Sequence, residues 1–216
     1  MSTTKKAAFA EEILQRLGER YPDPKPALRH TSPWELLVAT VLSAQCTDER
    51  VNMVTPEFFR RWPGPEELAQ AELPAIEEVV RSTGFFRNKA KNLKAAAVKL
   101  MAEYGGELPR TMAEMVKLPG AARKTANIVL SNAFGVHEGV AVDTHVKRLS
   151  NRLGLVKSDN PAVIERELMA LIPQQDWGRI NHLLVFFGRD TCQARKPNCP
   201  ACVLADICPK IGVADK

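Results

Sequence analysis

Apolar residues recur along this chain mostly at three- and four-residue intervals, the spacing of helices that bury one face. Phe9, Ile13 and Leu17 lay down one such face near the N-terminus. Ser32 followed by Pro33 reads as a helix cap and first-turn residue, and Trp34, Leu37, Val38, Val41 and Leu42 give the helix behind them an apolar side. Short helices are expected over 66–71 and 73–81. A longer one is expected over about 89–104, with Leu93, Ala97, Leu100 and Tyr104 inward and Gly105–Gly106 as its stop. Thr111 and Glu114 have capping-box spacing ahead of Leu118. Asn160–Pro161 opens a helix with Ile164, Leu168 and Leu171 inward, and 177–187 forms the last long helix, ended by Gly188. Residues 140–142 are too few for a sheet. The pattern predicts an all-α protein of two packed helical lobes.

The stretch LPGAARKTANIVL, 118–130, reads as a tight turn feeding a helix. With the short helix before it, it predicts a helix-hairpin-helix at about 112–134. Backbone N–H groups beyond Gly120, at Ala121 and Ala122, would open a helix and suit a phosphate oxygen. Arg123 adds a cation there. Ala126, Val129, Leu130 and Ala133 are expected to face the core, with Lys124, Asn127 and Ser131 toward solvent. A lysine in the first turn is locally unfavourable by about 0.3–1 kcal/mol. The same field favours the neutral amine, which can attack a sugar carbon and form a Schiff base. A phosphate-binding or merely solvated Lys124 remains the alternative.

In VDTHV, 142–146, Asp143 precedes a helix marked by Val146, Leu149 and Leu153 and closed by Gly154, and is a good N-cap. Its carboxylate could also stabilise positive charge on a sugar and assist proton transfer near Lys124. His145 lies two residues on. Gln45, in LSAQCTD, and Phe85, in GFFRNK, are candidate wedges for the gap left when a base leaves a duplex. Ordinary core packing is the alternative for Phe85.

Charge sharpens this picture. The chain of 216 residues has a formal charge of +5. Between Arg81 and Lys124 lie ten basic residues, Lys89 among them, and three acidic ones. Such a stretch can make a face that attracts a polyanion, or be a solvated helix surface. No apolar run approaches a membrane span, and the N-terminus lacks the apolar core of a signal peptide. A cytoplasmic protein is expected, where disulfides are uncommon. That gives Cys192, Cys199, Cys202 and Cys208, at gaps of six, two and five residues, the character of a metal site. Zinc and a [4Fe-4S] cluster both fit the spacing. Arg189, Arg195 and Lys196 would form a basic edge on that loop. Cys46 stands apart as a packed free thiol, and the four histidines show no coordination spacing.

Taken together, LSAQCTD, GFFRNKAKN, LPGAARKTANIVL, VDTHV and C-x6-C-x2-C-x5-C resemble the endonuclease III family of DNA glycosylase/AP lyases, from about Pro33 to Cys208 and in the family's order. The resemblance implies a six-helix barrel lobe over 26–136, and a second lobe formed by 1–25 with 137–216, which carries a [4Fe-4S] cluster on the four cysteines. It implies an active site in the cleft between lobes, with Lys124 as the catalytic lysine, Asp143 as the catalytic aspartate and Gln45 filling the place of the flipped nucleotide. Phe85 falls where the family often has a leucine wedge. The implied substrate is double-stranded DNA with oxidised pyrimidines such as thymine glycol, or abasic sites, cut 3′ to the lesion by β-elimination. A monomer associated with the nucleoid is expected.

Two departures stand out: Phe85 itself, and Ala122 where the family hairpin usually carries a second glycine. If position 122 needs positive φ, alanine costs roughly 1–2 kcal/mol there. A monofunctional adenine-type glycosylase and a catalytically weak DNA-binding paralogue are the rivals. Lys124 and the chain's end at Lys216 speak against the first, and retention of Lys124 and Asp143 against the second.

Overall fold

The computed structural model describes residues 3–24 and 26–213. Positions 1, 2, 25 and 214–216, which the two-lobe expectation included, lie outside the described residues. The architecture is all-α, and no strand occurs among the described residues. The chain divides into two units, Pro26–Val136, and Met1–Lys25 with His137–Lys216.

The Pro26–Val136 unit contains α2 (Pro33–Leu42), α3 (Asp48–Arg61), α4 (Pro65–Gln70), α5 (Leu73–Val80), α6 (Phe86–Tyr104), α7 (Met112–Met115) and α8 (Arg123–Phe134). Helix α2 starts where the sequence places it: Ser32 Oγ accepts from the Glu35 N–H at 3.2 Å, and Pro33 fills the first turn. The helix is more deeply buried than its spacing implies. Leu36, Ala39 and Thr40 are buried along with the expected face, because α3, α6 and α8 all pack on it. A helix surrounded in this way is apolar on every side.

Helix α6 begins one turn earlier than periodicity suggests, since Phe86 opens it directly behind Phe85. Tyr104 is half-buried, and its hydroxyl donates to Glu114 Oε2 at 2.6 Å. That bond, with one from Lys117 to Glu114 Oε1, occupies the carboxylate that a capping box would turn back on Thr111. Only half of the expected box forms, the Glu114 N–H donating to Thr111 Oγ1.

The other unit contains α1 (Thr3–Arg20), α9 (Thr144–Arg152), α10 (Pro161–Leu171) and α11 (Trp177–Asp190). Ile13, Leu17, Leu149, Leu168, Leu183 and Phe187 meet in its core, with Leu171 packed at the edge. Gly188 does not end α11, which continues to Asp190. Its role is close approach: a Cβ there would lie 2.5 Å from His145 Nδ1 and 2.8 Å from Arg148 Nη2, so the missing side chain lets α9 pack against α11. Arg16 of α1 holds the C-terminal loop, donating to Asp206 Oδ1 at 2.7 Å and to the Val203 carbonyl at 3.1 Å. No described helix is long and apolar enough to cross a membrane.

Candidate functional site

In the hairpin, positive φ falls on Gly120 (φ +83°) and on neither alanine. A Cβ at Gly120 would also come within 3.2 Å of Asn92 Cβ. Ala121 is buried and its N–H donates to the Leu118 carbonyl at 3.0 Å, so this amide closes the turn and is not on offer to a phosphate. Ala122 is the N-cap of α8 at φ −62°, an ordinary conformation for alanine. The strain considered for a non-glycine residue at this position is absent.

No side chain caps α8, and its first backbone bond runs from the Ala126 N–H to the Ala122 carbonyl. The amides ahead of Ala126 have no acceptor within the helix. Ala122, Arg123 and Lys124 are all exposed around this end, and Lys124 is its second residue. Asn127, expected toward solvent, is buried instead.

Gln45 and Phe85 lie in the same unit, and both are exposed. Phe85 is 67% exposed, so core packing does not explain it. Both residues have left-handed backbones, Gln45 at φ +53° and Phe85 at φ +47°. Non-glycine residues adopt this region at a cost of roughly 1–2 kcal/mol.

One member of the basic stretch does not belong to its surface. Lys89 is 5% exposed, and its ammonium donates to the Leu42 carbonyl at 2.8 Å and the Thr83 carbonyl at 2.7 Å. Burial pushes its pKa below the usual lysine value. Cys46 packs half-buried against the adjoining core as a free thiol, as expected.

In the other unit, Asp143 caps α9: Oδ1 accepts from the Val146 N–H at 2.8 Å. The segment before it is held by Asn181, a buried residue whose side-chain N–H donates to the Ala141 carbonyl at 2.7 Å. His145 is half-buried beside Arg148 and Gly188, so its Nδ1 is engaged in helix packing. Arg189 is exposed in the last turn of α11.

The four C-terminal cysteines are free and half-buried. They line one pocket together with Leu153, Phe187, Ala205 and Val213. Among the described residues no three Cys, His, Asp or Glu side chains are grouped so as to hold a metal ion. The sulfurs do have suitable neighbours. The Leu204 and Lys210 N–H groups each donate to a sulfur at 3.4 Å, on Cys202 and Cys208, and Arg152 Nη1 donates to Cys192 Sγ at 3.5 Å. Burial, first of all, pushes the Cys202 and Cys208 thiols up.

Arg152 also donates to the Gln193 and Ala194 carbonyls, and Arg148 to those of Gly188 and Cys192. This pair of loop clamps, like Lys89 and Asn181, was not anticipated. The four-residue spacing of the arginines along α9 was the one visible sign.

The HhH-GPD superfamily base excision DNA repair protein family matches residues 38–174. The chain is 55% identical over 200 residues to "Endonuclease III" of Synechocystis sp., covering 93% of this chain and 91% of that relative. It is 44% identical over 207 residues to "Endonuclease III" of Bacillus subtilis, covering 95% and 94%. Among solved structures, it superposes with a TM-score of 0.89 and 41% identity, over 97% of both chains, on "Structure of a Trapped Endonuclease III-DNA Covalent Intermediate: Estranged-Adenine Complex". A second, "Structure of a non-covalent Endonuclease III-DNA Complex", gives the same TM-score and identity over 97% of this chain and 96% of that one.

Proposed function

The chain belongs to the endonuclease III family of the HhH-GPD superfamily, and from that premise we propose how its own residues carry the reaction. It is a bifunctional DNA glycosylase and AP lyase acting on double-stranded DNA. Oxidised pyrimidines such as thymine glycol are the substrate class implied by the family resemblance. The observation that carries the residue assignment is the uncapped start of α8, where an exposed lysine adjoins backbone amides without helical acceptors.

In this reading the amides and Arg123 hold the DNA backbone by its phosphates, independent of sequence. Lys124 Nζ attacks C1′ of the extruded nucleotide. The N–C1′ bond forms as the glycosidic bond breaks, and the base leaves with a proton. Opening of the sugar ring gives a protonated imine, which acidifies C2′. Loss of the C2′ proton expels the 3′ phosphate by β-elimination, and water releases Lys124. Asp143 stabilises the positive charge that develops on the sugar and relays protons. Gln45 and Phe85 occupy the space left in the stack, and Arg189 adds a phosphate contact. His145, half-buried beside Arg148 and Gly188, is a further candidate DNA contact.

The four cysteines would hold a [4Fe-4S] cluster. The common pocket and the N–H donors to sulfur are compatible with such a group, and the choice of the cluster over zinc follows from the family resemblance. Its contribution when bound is to order the loop. We assign the protein to the cytoplasm, on the nucleoid, as a monomer.

Borohydride trapping on a duplex with one abasic site tests the assignment, wild type beside K124A. A covalent band from wild type alone is expected. A band of equal strength from K124A would move the nucleophile elsewhere.

A further inference from the structure

Lys89 is a buried cation for which the reaction above has no use. Burying an ammonium costs several kcal/mol, and no carboxylate pairs with it among the described residues. Its acceptors are two backbone carbonyls from separate segments. Leu42 ends α2 and lies three residues before Gln45. Thr83 lies two residues before Phe85. The Lys89 backbone N–H in addition donates to the Phe85 carbonyl at 3.1 Å. The Lys89 ammonium thus ties together the segments that lead into both exposed turns, and those turns carry the two non-glycine positive-φ residues of the Pro26–Val136 unit. A helix end alone could be satisfied by water. Joining two strained turns at a fixed separation needs a donor with several hydrogens and no sequence demand on its partners, which a lysine ammonium supplies.

We propose that Lys89 is a positioning residue that sets the spacing between Gln45 and Phe85, so that both enter the duplex together. This rests on the reading of those two residues as wedges. Removing the ammonium frees the turns to relax from their left-handed backbones and to drift apart. Extrusion of a paired nucleotide then suffers. Chemistry on a site that needs no extrusion does not.

The test compares K89M, K89R, Q45A and F85A with wild type in two single-turnover assays. One is excision of thymine glycol opposite adenine in a duplex. The other is β-elimination at an abasic site in single-stranded DNA. Both rates scale with the folded fraction, so their ratio survives partial unfolding of a variant. For K89M the ratio should fall roughly ten- to a hundredfold, the size expected for a small misplacement of a reacting partner, and K89R should recover part of it. Should K89M fail to fold at all, the K89R ratio is read against wild type, where a smaller fall is expected. An unchanged ratio in folded K89M, including equal loss in both assays, or in K89R where K89M does not fold, would overturn the proposal and leave Lys89 a structural group. If Q45A and F85A lower the ratio while K89M does not, the wedge reading stands and only the positioning role is lost. If Q45A and F85A leave the ratio at the wild-type value, the wedge reading fails and takes this proposal with it. As a signature of the turn itself, 4-fluorophenylalanine at position 85 should give one sharp fluorine resonance in wild type and a broadened or split one in K89M.

Discussion

The two helix starts to which we assign the chemistry are built in opposite ways. At α9, Asp143 caps the helix with its own carboxylate, so in the proposed mechanism one group would serve both the fold and the reaction. At α8, the cap position is Ala122, no side chain closes the end, and a lysine stands where the helix field disfavours a cation. The first arrangement stabilises the protein by itself. The second has no side-chain cap, and in the proposed mechanism its end would meet a DNA phosphate. Two candidate catalytic residues can therefore share secondary structure and differ in what they do for stability.

The largest effect should come from separating the two jobs of Asp143. Asparagine caps as well as aspartate, so D143N should keep its melting temperature while single-turnover excision falls roughly 10²- to 10⁴-fold, the range for a lost acid–base group. D143A should show the same kinetic loss and in addition about 0.5–2 kcal/mol of destabilisation. Parallel loss of stability in both variants would show that the cap is not the carboxylate's structural job. Next comes A122D, which would make α8 resemble α9. Denaturant titration should show about 1 kcal/mol of added stability, while affinity for abasic duplex drops roughly tenfold or more, since the new carboxylate takes the place meant for phosphate. Tighter DNA binding by A122D would contradict the assignment of that helix end.

K124A should be slightly more stable than wild type, by about 0.3–1 kcal/mol at low salt, because it removes a cation from the positive end of α8. A destabilised K124A would mean that the lysine makes a structural contact. The smallest effect belongs to A122G. With φ at −62° there is no strain to relieve, so stability should change by a few tenths of a kcal/mol. Only a gain in DNA affinity without a stability change would point to crowding by the Ala122 methyl.

The features that can be read from the sequence are those fixed within a few residues. Ser32–Pro33, Asp143 and Asn160 act as caps because a cap needs only its own helix. The hairpin follows from Pro119 and Gly120, which restrict the backbone directly. What escapes the sequence is set by a distant partner. Lys89 sits among cations that periodicity assigns to solvent, and only the carbonyls of Leu42 and Thr83 reveal why it is inside. Gly188 has the look of a helix stop, and becomes a contact point only because α9 crosses there. Phe85 is an ordinary aromatic on paper, and its left-handed backbone is visible only in the folded turn. Asn181, Arg148 and Arg152 likewise act on segments about forty positions away, beyond the reach of local pattern.

The tie between Arg16 and the loop around Asp206 has a consequence for how this protein is made. Helix α1 leaves the ribosome with Ile13 and Leu17 on its apolar face long before α10, α11 and the cysteine loop are synthesised. At roughly 5–20 residues per second, α1 waits on the order of ten to thirty seconds for its partners. Residues 26–136 are complete in the meantime and can fold on their own core. The nascent chain thus passes through a stage with one finished unit flanked by an orphan amphipathic helix, and a chaperone or premature aggregation would act at that stage.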